Sequence, residues 1–184
     1  MIEHLRTNKL HPQAIVLTHA HVDHIAGVRT LIEELGDIPV WIHADEEQWL
    51  VDPSLNLSAA AGLPSPTPAA SRLLKNADVL TIGTPDEGTL AEIGWQVLHV
   101  PGHSPGSIAL HHAPSRVLIG GDALFAGSVG RTDLPGGNHD LLMESISTKL
   151  YALPDDTLVL PGHGEATTIG QEKLTNPFVR GAST

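Results

Sequence analysis

Four short apolar runs in this chain each deliver the backbone into a loop that carries histidine or aspartate. Ala14-Ile15-Val16-Leu17 passes directly into Thr18-His19-Ala20-His21-Val22-Asp23-His24. Residues 95–100 lead to Pro101-Gly102-His103-Ser104-Pro105-Gly106, 117–119 to Gly120-Gly121-Asp122, and 157–160 to Pro161-Gly162-His163-Gly164. Runs of this length, bounded by turn residues, read as strands. The loops therefore recur at one structural place, the carboxyl end of a strand, and such loops can converge in space.

The rest of the chain limits what those loops can do. Its 184 residues amount to about one domain, with 41% hydrophobic residues for a core. The net charge of −11, from 10 basic against 21 acidic residues, argues against nucleic acid or an anionic membrane as partner. No apolar run approaches a membrane span, and the opening MIEHLRTNKL has no signal-like apolar region, so the expected location is cytoplasmic. Zero cysteines exclude disulfides, thiolate metal sites and a cysteine nucleophile, while 12 histidines are the one compositional excess. Oxygen and nitrogen ligands are what remain.

The coarse pattern is αβ first and β-rich afterwards. Ile2 and Leu5 stand at helical spacing with Asn8 as a stop, and Ile25, Val28, Leu31, Ile32 and Leu35 predict one helix ended by Gly36. A strand is expected over 39–43, followed by a short helix to Leu50 opened by an Asp45/Gln48 capping box. Residues 52–70, with four prolines, read as a surface loop. Strands are then expected over 79–82, 89–91, 95–100, 108–112 and 117–119, and a buried one over 157–160. Between the last two, Asn138 or Asp140 can cap a helix with Leu141, Leu142, Ile146 and Leu150 inward.

His19 and His21 lie two residues apart, so in extended backbone both imidazoles leave one face and can share an ion. Asp23 and His24 continue round the turn and can serve a second. With His103, Asp122 and His163 they make seven protein ligands. That suffices for two borderline divalent ions, with one carboxylate bridging and a position open to water, where a closed structural site would need only four. By chance a bare H-x-H-x-x-H arises in roughly one chain in twenty of this histidine content; the aspartate at its fixed place lowers that to a few in a thousand.

At Thr18 to His24 the sequence resembles the T-H-x-H-x-D-H signature of the metallo-β-lactamase superfamily. PGHSPGS, GGDALF with SVGRTDLPGG, and PGHGEATTIGQEKLTNP are similar to its small glyoxalase II-like branch, over essentially the whole chain. The resemblance implies an α/β fold, the αββα metallo-β-lactamase sandwich, here truncated at its N-terminus, as a single domain over 1–184. It also implies the ligand sets: His19, His21 and His103 on one metal, Asp23, His24 and His163 on the other, Asp122 on both. Two divalent ions are expected, zinc, with iron or manganese as alternatives. The reaction it implies is hydrolysis of a small-molecule thioester such as a hydroxyacylglutathione: a metal-bridging hydroxide oriented by Asp23 attacks the carbonyl and a thiolate leaves.

Two departures from the family shape further expectations. The chain starts at the helix that the family's first strands usually precede, so either a homodimer covers the exposed sheet edge, the arrangement expected here, or the domain is less stable than its relatives. It also ends without the helical C-terminal domain that binds glutathione in full-length glyoxalase II. The alternatives are an iron-dependent persulfide dioxygenase, which the GRTD segment resembles, and a truncated, non-catalytic metal-binding module; a β-lactam hydrolase ranks below these.

Weaker signals have plainer readings. Ser104 and Ser107 suit turn hydrogen bonds, since neither sits in a G-x-S-x-G elbow. Arg131 and Asp133 are evenly balanced between contacting substrate and bracing the metal ligands through an ion pair. His111-His112 lies on a strand where at most one of the two is buried, and Trp41, Trp49 and Trp95 are expected in the core.

Overall fold

In the computed structural model, which describes residues 1–63, 67–81 and 94–180, the opening apolar spacing becomes helix α1 (Ile2–Thr7), closed by Asn8. The chain divides into two units, Met1–Leu74 and Lys75–Thr184.

In the first unit the run before the histidines forms β1 (Ile15–Val16). The single helix expected after it is two, α2 (Val22–Ile25) and α3 (Val28–Leu35), parted at Ala26-Gly27. Glycine is a poor helix former, and Gly27 stands at the break as the N-cap of α3. Gly36 ends α3 at φ +99°, and its N–H donates to the Ile32 carbonyl. β2 (Val40–His43) leads into a 3-10 helix, Ala44–Leu50, whose cap is not the expected Asp45. The cap is His43, and its Nδ1 accepts from the Asp45 amide at 3.3 Å. β3 (Arg72–Leu74) completes a parallel β1-β2-β3 sheet. With three residues, two of them exposed, it carries no alternation that sequence could register. Its Arg72 guanidinium stacks 4.7 Å over Trp41.

Part of the 52–70 loop is interior rather than surface. Asn56, Ser58 and Thr67 are buried. Asn56 Nδ2 and Thr67 Oγ1 donate to the Trp49 and Leu50 carbonyls at the end of the 3-10 helix. The core here is Leu17, Ala20, Ile25, Val28, Val40, Ile42, Trp49 and Leu50.

The second unit carries β4 (Val79–Leu80), β5 (Trp95–His99), β6 (Ile108–His112), β7 (Val117–Gly121) and the small hairpin β8 (Leu124–Phe125) with β9 (Ser128–Val129). Helix α4 (His139–Ser145) continues as a π-helical turn over Ile146–Leu150, and β10 (Leu158–Pro161), β11 (Thr167–Thr168) and α5 (Ile169–Thr175) follow. The expected strand at 89–91, and residue 82 of the one before it, lie outside the described residues.

The six-stranded sheet has the order β11-β10-β7-β6-β5-β4. β6 is antiparallel to both β5 and β7, while β10 is parallel to β7. It follows that β5, β7 and β10 run the same way and end at the same edge. Ala109, Leu118 and Val159 from one face pack with Leu142, Ile146, Leu150 and Ile169 of the helices. Two expectations fail in detail. Leu141 is exposed, because the helix turns it away from Leu142 and Ile146. β10 is buried only through Val159, with Leu158 and Leu160 39% and 40% exposed, as strand alternation requires when one face is covered. The hairpin β8-β9, β11 and α5 are too short, or too weakly apolar, to register in the sequence pattern. Among the described residues no helix is long and apolar enough to cross a membrane.

Candidate metal centre

Each unit gathers its own donors. In the first, the Leu17 amide donates to the Trp41 carbonyl as the last tie to β2, and the chain stays extended through the buried His19 and His21. His21, at φ −65° and ψ 148°, is the N-cap of α2. The rings of His19 and His21 meet edge to face, 4.8 Å between centroids, as expected for same-face residues. One turn of α2 then returns His24, whose ring lies 4.0 Å from that of His19. Asp23, half exposed, sets Oδ2 3.6 Å from His24 Nε2. His19, His21 and His24 thus form one imidazole cluster with a carboxylate beside it.

In the second unit the common direction of β5, β7 and β10 does the gathering. His103 follows β5 through the Pro101-Gly102 turn, Asp122 directly follows β7, and His163 comes two residues after β10. Asp122 is 8% exposed. Its Oδ2 faces His103 Nε2 at 3.8 Å and His163 Nε2 at 3.5 Å. Both gaps exceed a good hydrogen bond, and a divalent ion bound at about 2.0–2.2 Å from nitrogen and oxygen fits between such atoms. His103 Nδ1 lies 2.8 Å from the Arg131 carbonyl. Since a carbonyl only accepts, the neutral ring carries its proton on Nδ1 and turns the Nε2 lone pair toward Asp122. Nitrogen and oxygen donors without thiolate, one carboxylate oxygen shared by two imidazoles, and a tautomer held from behind all suit a borderline divalent ion.

The surroundings hold this geometry. Gly102 sits at φ +130° against the Leu142 amide, where no side chain fits. The Asn138 amide donates to the Gly102 carbonyl at 2.8 Å and Ser145 Oγ to that of Pro101 at 2.9 Å, so α4 clamps the His103 loop. Ser104 and Ser107 share a hydroxyl hydrogen bond of 2.7 Å, the turn role expected of them. Arg131 and Asp133 form an exposed bidentate pair, 2.7 Å at each contact, and the Arg131 hydrogen bond pulls the Asp133 carboxyl down to about 2. The ring of His103 is braced by the Arg131 backbone carbonyl and not by that ion pair.

Two buried carboxylates escaped the sequence reading. Glu46 accepts from the Ala20 amide at 2.6 Å, between His19 and His21. Glu172 accepts from Thr167 Oγ1, the Gly127 amide and Asn176 Nδ2, tying α5 to the β8-β9 turn that follows Asp122. Composition offers no sign of either, because glutamates are usually exposed.

The family model described as the metallo-beta-lactamase superfamily matches residues 2–163. The chain belongs to the metallo-beta-lactamase superfamily. It is 42% identical over 182 residues to the probable metallo-hydrolase YqgX of Bacillus subtilis strain 168, covering 98% of this chain and 82% of that one. It is 34% identical over 191 residues to the hydroxyacylglutathione hydrolase GloC of Haemophilus influenzae, covering 100% and 83%. Among solved structures it superposes on the B3 metallo-beta-lactamase BLEG-1 with a TM-score of 0.86 and 45% identity, covering 98% and 83%. On TTHA1623 in a di-iron-bound form the TM-score is 0.82, with 40% identity and 97% and 83% coverage. The fold is the metallo-beta-lactamase α/β fold expected from the signature, and the chain is a member of a metallo-hydrolase superfamily.

Proposed function

We propose that this protein is a dinuclear metal-dependent hydrolase that cleaves a small thioester of the hydroxyacylglutathione kind. The observation that carries the metal reading is the Asp122 oxygen faced by two imidazole nitrogens, at 3.8 and 3.5 Å. Similarity to GloC along the full chain supports the thioester. In this reading His19, His21 and His103 would hold one ion, Asp23, His24 and His163 would hold the other, and Asp122 would serve both. Zinc is the proposed ion; iron is second, since TTHA1623 carries two irons.

Bound ions supply Lewis acidity and lower the pKa of water. The protein's residues do the rest. His103, its Nδ1 proton held by the Arg131 carbonyl, keeps Nε2 as a donor of fixed direction. Asp23, half exposed beside His24, orients the attacking water by accepting its hydrogen bond at a carboxylate oxygen.

A second reading, β-lactam hydrolysis, is favoured by the likeness to BLEG-1. One experiment separates them: S-lactoylglutathione and a chromogenic β-lactam are each offered to zinc-reconstituted protein and to the same folded protein stripped by chelator. Metal-dependent loss of thioester absorbance supports the first reading, and opening of the β-lactam alone supports the second. Two bound zincs with neither activity would move the search to another substrate. A folded protein that takes up no metal would end the dinuclear reading.

A further inference from the structure

The histidine loop is anchored by a residue to which the proposed reaction gives no task. Glu46 is fully buried on the 3-10 helix, and its Oε2 accepts from the Ala20 amide at 2.6 Å. Two residues further on, the Val22 amide donates to the Asn56 carbonyl at 2.9 Å. Asn56 is fixed in turn: Nδ2 donates to the Trp49 carbonyl at 2.8 Å, and Oδ1 accepts from the Ser58 amide at 3.0 Å. The Trp49 ring stands 5.9 Å from that of His21. The peptide N–H groups on both sides of His21 are therefore held by one segment, 44–58. A hydrogen bond to the Ala20 amide fixes the plane that contains the His19 Cα, and one to the Val22 amide fixes the plane that contains the His21 Cα. With one flanking peptide plane held at each histidine, the directions open to its Cα–Cβ bond are narrowed to rotation about a single backbone bond.

A buried carboxylate is costly unless its hydrogen bonds return the lost hydration, so its use where a water or a serine could serve needs a reason. We infer that Glu46 is a positioning residue for the metal-ligating histidines: its carboxylate, with the Asn56 carbonyl, aims the His19 and His21 rings at a shared divalent ion. The inference rests on the proposed reading that these histidines bind metal. Groups that orient ligands from outside typically carry 10–100-fold of metal affinity.

The test uses the full chain stripped of metal and titrated with Zn²⁺ against a chromogenic chelator, then with Co²⁺ to read the visible ligand-field bands. Glu46→Gln keeps shape and an acceptor oxygen but loses the charge-assisted bond; Glu46→Ala removes the acceptor. The expected order of zinc affinity among folded proteins is wild type, then Gln about 10-fold weaker, then Ala about 100-fold weaker, with the cobalt bands altered in the same order. A scaffold role alone would lower the melting temperature and leave affinity per folded molecule and cobalt bands as in wild type. That result in Glu46→Ala overturns the inference, and if Glu46→Ala does not fold, the same result in Glu46→Gln does. His21→Ala is the control: undiminished affinity there would sink the ligand assignment itself, whatever Glu46 does.

Discussion

At the scale of single residues, Gly130 sets the tightest limit on the aspartate–histidine geometry. A Cβ there would collide with the Asp122 carbonyl and come within 3.2 Å of His103 Nδ1. Gly130→Ala must displace one or the other, so a loss of about 1–3 kcal/mol of stability is expected, as for other overpacked sites. Urea unfolding of the variant beside wild type measures it; an unchanged midpoint would mean that the close approach is not maintained in solution. His111 is a residue-scale case of another kind. It pairs with Leu118 across β6 and β7 and shares the covered face of the sheet, and its buried Nε2 has no hydrogen-bond partner among the described residues. Burial, and then His112, lower its pKa below the ordinary 6.5. The unfolded chain then binds this proton more readily than the native one. The contribution is complete above the ordinary value and falls away as pH drops toward the native one. His111→Leu is expected to flatten the acid side of the stability curve below about pH 6.5, read as melting temperature from pH 8 to pH 5. Equal slopes for the two proteins would refute it. The same residues show where sequence reading stops: the 12 histidines were countable, yet only tertiary burial separates His111 from the exposed His4, His11 and His139.

Elements supply the second scale, and α4 is the one closest to the chemistry. Asn138 caps it by accepting from the Leu141 amide at 3.1 Å, and its own amide holds the Gly102 carbonyl. Asn138→Ala keeps the backbone bond and loses the cap, for an expected cost of about 1 kcal/mol. Thermal unfolding reports the loss, and Asn138→Asp, which restores an acceptor, is expected to recover most of it. If alanine is as stable as wild type, the cap contributes nothing. Strand ends and this cap were legible because they follow from local composition: apolar runs bounded by Pro-Gly or Gly-Gly turns, and an Asn ahead of an apolar stripe. β3, β8, β9 and β11 were not, since strands of two or three residues owe their existence to partners distant in sequence. The Ala44–Leu50 helix shows a subtler failure. Asp45 and Gln48 have capping-box spacing, but the chain enters the helix from β2 with His43 already in extended conformation, so His43 takes the cap.

For the molecule as a whole, metal uptake and stability are linked if the ligands come together only in the folded chain. Ligand that binds the native state alone stabilises it by RT ln(1 + [L]/Kd), or about 2.7 kcal/mol at a hundredfold excess over Kd. Removing metal by chelator is therefore expected to lower the melting temperature by several degrees and readdition of zinc to restore it; scanning calorimetry with and without chelator decides, and identical traces would contradict a metal bound to the native state. The sequence by itself determined the donors and the family. Residue type fixes which atoms can bind a borderline ion, and the T-H-x-H-x-D-H spacing keeps His19, His21 and His24 within five residues of one another, about 17 Å even in fully extended chain. Tertiary structure decided what no local pattern could. The parallel course of β5, β7 and β10 brings His103, Asp122 and His163 to one edge, and the Arg131 carbonyl sets the His103 tautomer. Glu46 and Asn56 meet the histidine loop from 26 and 34 residues away. These are contacts between segments far apart in the chain, and their energies depend on burial and direction, which exist only once the chain has folded.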